Sequence, residues 1–234
     1  MSARDFVMII AAFSLAFTGL YYGTKFLRLG SRLLGWEWVV LGVSSTSMLL
    51  AILFQSAFFE AASFYFDAFS RGVGFPVIAT LGFVELFRGR KFPWQFDVAA
   101  FAAGAVFAWA ARTVWAESPT LQEFYMVAGV VFNLCMLYFA AKLFAVRLVG
   151  HGIGIIAGLI ALVGVSLLEG GFIAFPGEET NVLFNWLTIA LFVWALVFAQ
   201  YFFAYRAYEA VTGGQRVSGD GARGRGERAA SASI

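Results

Sequence analysis

GIGIIAGLIALVGVSLLE, residues 152–169, carries no charge until its final glutamate. As an α-helix, 18 residues span roughly 27 Å, close to the hydrocarbon core of a bilayer, about 30 Å thick. The run lacks the strict alternation of a barrel strand, whose faces meet lipid and lumen in turn. Runs of the same kind recur along the chain, at roughly residues 6–24, 36–57, 72–88, 95–115, 122–142, 152–175 and 182–205. Of 234 residues, 61% are hydrophobic and 13% charged, against about 25% charged in an ordinary soluble domain. The sequence therefore predicts an all-α polytopic membrane protein, a bundle of seven transmembrane helices.

The charges orient it. Lys25, Arg28, Arg32, Arg88, Arg90, Lys91, Lys142 and Arg147 fall in the odd-numbered loops, and Arg206, Arg216, Arg223, Arg225 and Arg228 follow the last span. The N-terminus and even-numbered loops hold only Arg4, Arg71 and Arg112, beside Asp5, Glu60, Asp67, Glu117, Glu123, Glu169, Glu178 and Glu179. Because positive residues accumulate on the cytoplasmic side, the N-terminus is expected outside and the C-terminus in the cytoplasm of a plasma (inner) membrane protein. Only an odd number of spans allows that. The first span keeps its basic residues after the apolar run, unlike a cleaved signal peptide. Residues 1–212 are expected to form the membrane domain. Residues 213–234, GGQRVSGDGARGRGERAASASI, have almost nothing to bury and read as a disordered basic tail.

Candidate chemistry concentrates in FFEAASFYFDAFSRGVGFP, residues 58–76. Glu60, Asp67 and Arg71 stand at i, i+7 and i+11, which places them on one helical face. The stretch reads most simply as an amphipathic segment lying at the outer interface. Pro76 favours this, being tolerated in the first turn of a new helix; the alternative is an outward extension of the third span. Arg71 is expected to neutralise Asp67 or Glu60. Arg112 and Glu169 fall at comparable depth, so these five charges could line an outer vestibule. Asn133 lies mid-span, where an amide has no good lipid-facing solution. Ser44, Ser45, Thr46 and Ser47 read as hydroxyls bonded to their own helix, and Glu85 as the helical partner of Arg88.

Several classes fall away. Lys25, Lys91 and Lys142 are the only lysines, all at cytoplasmic span ends, so a retinal Schiff base in the seventh helix, as in rhodopsins, is excluded. One histidine, His151, and one cysteine, Cys135, cannot make a multi-histidine haem or metal site, and no serine or aspartate pairing suits an intramembrane hydrolase. No catalytic residue, metal or cofactor is expected, nor nucleic acid as a partner. What remains is a small transporter or channel for a small solute or ion, with Glu60, Asp67, Arg71, Arg112, Asn133 and Glu169 along the pathway. The alternative is a non-catalytic receptor or subunit that binds a hydrophobic ligand or another membrane protein. The bilayer is the one certain partner; a second membrane protein or a homo-oligomer fits either reading.

Overall fold

A computed structural model describes residues 3–116, 118–173, 181 and 185–231, with side chains as far as Gly213. Seven of its helices are long and apolar enough to cross a membrane, the mark of a multi-pass membrane protein, and the described residues form no strand. They are α1 (Ala3–Arg28), α2 (Arg32–Phe54), α3 (Ala57–Arg88), α4 (Trp94–Thr113), α5 (Pro119–Ala145), α6 (Val149–Glu169) and α7 (Trp186–Ser231). The membrane-length part of α7 ends at Gly213, and its backbone stays helical through the stretch that composition marks as a tail. The tail's side chains, and Glu117, Glu178 and Glu179, lie outside the described residues.

Short turns join most helices, so neighbours in sequence run antiparallel. α1 packs on α2 and on α7, α2 on α3, α3 on α5, α5 on α6 and α6 on α7, which closes a ring of six. The fourth helix stands outside that ring, against α3. Small residues set the closest approaches. A Cβ on Gly19 would lie 2.5 Å from the Gly42 backbone, and one on Gly23 2.9 Å from the Val39 nitrogen. These glycines let α1 and α2 meet backbone to backbone, as small residues do within bilayers.

The third helix departs from expectation. Residues 57–88 form one continuous span, not an interfacial segment followed by a new helix, and the middle of it, Ser70–Ala79, winds as a π-helix. Pro76 sits inside this wider turn. In an α-register its ring would press on the carbonyl four residues back; the i→i+5 register relieves that clash without ending the helix. Gly72 and Gly74 serve the same segment by close packing, since a Cβ at Gly72 would run into the Phe107 ring and one at Gly74 into the Glu37 carboxyl.

Beneath this segment the bundle is filled with aromatic rings. Phe75 stacks on Phe198 at 4.8 Å and meets Phe132 at 5.4 Å. Trp38 packs edge-on to Phe26 and Phe198 at 5.2 and 5.4 Å, and Phe26, Trp38 and Phe83 are wholly buried.

Candidate functional site

The π-helical turn puts Arg71 inside the ring of helices. Its guanidinium donates to Glu169 Oε1 at 2.7 Å, approaches Asp67 Oδ2 at 3.8 Å, and lies 4.7 Å from the centre of the Tyr125 ring. Three helices thus meet through one side chain: α3 supplies Arg71 and Asp67, α6 supplies Glu169, and α5 supplies Tyr125. The expected pairing of Arg71 with Asp67 is present as the longer contact, whereas Glu60 takes no part and the short bond goes to an acid 98 residues away. The geometry follows from position. One helical turn separates Asp67 from Arg71, which leaves a long contact along the same helix, whereas Glu169 ends α6 and reaches across.

Around this cluster lies a cavity of about 150 Å³, whose wall also includes Ser70, Asn133, Ser166 and Phe75. It shares Leu41, Ser44, Asp67, Arg71 and Trp194 with a larger cavity of about 620 Å³ between α1, α2, α3 and α7. Glu60 lines the larger space, so the face that the spacing of Glu60, Asp67 and Arg71 predicts does look onto one hollow. Arg112 borders neither cavity; it lies over the outer face of Phe64, 5.0 Å from the ring centre. Five of the six predicted pathway residues are therefore at the cavities and Arg112 stands apart.

Other polar residues resolve into structural roles. The Ser44 hydroxyl donates to the Ser63 carbonyl at 3.1 Å and that of Ser45 to the Ala12 carbonyl at 2.8 Å, tying α2 to its neighbours. Only Thr46 and Ser47 bond back to their own helix as expected. Glu85 accepts the Phe92 N–H at 2.6 Å and pairs with Lys91, not with Arg88. Arg32 and Asp97 bridge α2 to α4 at 2.6 Å.

Glu37 escaped the sequence reading. It is 0% exposed, its carboxyl lies against Gly74 and faces the Ser70 hydroxyl, and neither it nor Ser70 completes a hydrogen bond of normal geometry. Flanked by Trp36 and Trp38 near a span end, it reads in sequence as one more interfacial residue. The sequence signal available was a lone acid between two tryptophans; that it faces Gly74 of α3 is visible only in the structure.

No family model, curated protein or solved structure matches the chain.

Proposed function

We propose that this is a membrane transporter that binds a small solute around Arg71 and passes it by rearranging α3 about its π-helical turn. The observation that carries this reading is the Asp67–Arg71–Glu169 cluster in an internal cavity at an interruption of regular helix. Ionisable groups inside a membrane span are expensive and mark solute paths. Interrupted helices supply the polar backbone and the hinge of many transporter sites, and π-helical turns gather at functional sites. Pro76, which lines the smaller cavity, has no N–H to close the helix behind it, so the helix is interrupted at the cavity wall.

Transport is favoured over an open channel by the aromatic layer. Phe75, Phe132 and Phe198 form part of the cavity wall and stack into the buried core behind it. These rings and the packed core behind them leave no open path for a hydrated solute, so passage requires that layer to move. The basic residues of the odd-numbered loops support an orientation with the α2–α3 turn outside and the tail cytoplasmic, and on that reading the cavity is outward-facing.

The test is uptake into proteoliposomes of a panel of labelled small solutes. Saturable uptake above empty liposomes is expected for at least one, reduced tenfold or more in Asn133→Leu at unchanged folded yield. Absence of uptake across the panel would overturn the proposal. The alternative, a receptor or subunit for a hydrophobic ligand, draws its support from the apolar side of the larger cavity. It is favoured if the protein leaves native membranes only in fixed stoichiometry with another chain.

A further inference from the structure

The Asp67 carboxylate is an acceptor without a matched donor. Arg71 gives its short bond to Glu169, Asp67 receives only the 3.8 Å contact, and it accepts no hydrogen bond among the described residues. Its side chain is 40% exposed, and the space it faces is the two cavities. Glu60 adds a second carboxylate to the wall of the larger one. Three acids, Glu60, Asp67 and Glu169, thus stand against Arg71 on the walls and Arg112 behind Phe64, whose charge also reaches Asp67. The walls therefore carry excess negative charge, and an anion that approached Arg71 would meet a carboxylate on either side of it.

The remainder of the larger cavity is of another kind. Leu15, Met48, Ile52, Leu191 and Trp194 form an apolar wall opposite the acids, and about 620 Å³ is far more room than a bare inorganic cation fills. A hydrated ion would leave that wall uncompensated. A ligand with an apolar body removes it from water, and Trp194, common to both cavities, offers a ring face to positive charge. We infer that the larger cavity takes an amphipathic organic cation, with its charged head on Asp67 and its apolar body against Leu15, Met48, Ile52, Leu191 and Trp194. The inference rests on reading the cavities as the solute site, and it names the solute's class.

The probe is tetraphenylphosphonium, titrated calorimetrically into the full chain in nanodiscs with empty nanodiscs as the blank. Saturable binding is expected, weakened at least tenfold in Asp67→Asn and unchanged in Glu123→Gln, an exposed acid on α5. Ile52→Trp, which fills the apolar end and leaves every charge in place, is expected to weaken it as well. Tetraphenylborate, nearly the same shape with the opposite charge, is titrated into a separate sample, because the two ions precipitate together, and should not bind above the blank. Binding of the probe no stronger than the blank, equal binding in Asp67→Asn, or binding of tetraphenylborate as tight as that of the probe would each overturn the inference. Because no flux is read, probe binding in a protein that takes up nothing keeps the ligand class and sinks the transport reading; uptake of other solutes without probe binding does the reverse.

Discussion

The contact between Arg71 and Glu169 is the one on which the site depends. Both side chains are mostly shielded, at 26% and 18% exposure, so the pair lies between a solvated surface bridge and a fully buried one. Removing one member leaves the other's charge without its partner; removing both does not. Arg71→Ala is therefore expected to cost about 2 kcal/mol, and Arg71→Ala with Glu169→Gln distinctly less than the sum of the two single changes. A double-mutant cycle on thermal stability in nanodiscs measures this, and additive, near-zero effects would show the charges to be independent. The α3 half of the cluster was legible in sequence, because i, i+7 and i+11 must share a helical face. Glu169 on α6 was placed in the same vestibule by depth, but not as the partner of Arg71, since a single sequence does not say which helices adjoin. Glu37 yields a second prediction at this scale. Among the described residues no cation stands beside its buried carboxyl to reward a charge, so the amide of the same shape should serve as well: Glu37→Gln should shift the melting temperature by no more than about 2 °C, a change worth about 0.5–1 kcal/mol at this chain length. Glu37→Ala should lower it several times further, by leaving a hole.

At the level of the helices, bilayer thickness made the sequence readable. Apolar runs of membrane length read as spanning helices, and all seven appear, although the third begins at Ala57 and not near residue 72, the sixth ends at Glu169 and the seventh runs on to Gly213. The error fell on α3 for a physical reason. Proline is tolerated both in the first turn of a helix and inside a widened one, and sequence favours the commoner case. Packing decides otherwise: Gly72 and Gly74 let the widened turn lie directly against the Phe107 ring and the Glu37 carboxyl, which holds α3 in one piece. Gly72→Ala should push α3 away from α4, since its new Cβ occupies the place of the Phe107 ring. Overpacking of this kind costs about 1–3 kcal/mol. Phe107→Leu in the same chain should recover most of it, because the smaller side chain vacates the contested volume. A melting temperature unchanged by Gly72→Ala would mean that the glycine is dispensable and that the π-helical turn has some other cause.

For the whole molecule, the aromatic layer separates the cavities around Arg71 from the packed core of the bundle, and the proposed orientation rests on the charge bias. With an odd number of antiparallel spans, the α2–α3 and α4–α5 turns share one end of the bundle, and the α1–α2 and α3–α4 turns share the other. The bridges of Arg32 to Asp97 and of Lys91 to Glu85 belong to this second end, where basic residues gather, and the orientation proposed above puts it on the cytoplasmic side. Single-cysteine labelling tests the orientation and the aromatic layer in one experiment. In a Cys135→Ala background, cysteine is introduced by Ser118→Cys at the outer turn, Ser63→Cys on the wall of the larger cavity, Arg90→Cys at the inner turn, and Phe139→Cys in the buried core beyond the aromatic layer. A membrane-impermeant maleimide added outside should label the first two and neither of the others; after permeabilisation it should reach position 90 as well, while position 139 stays dark. Labelling of positions 90 and 118 from the same side would break the seven-span alternation. Labelling of 139 from outside would show that the aromatic layer is no barrier, and the case for a gated transporter over an open channel would go with it.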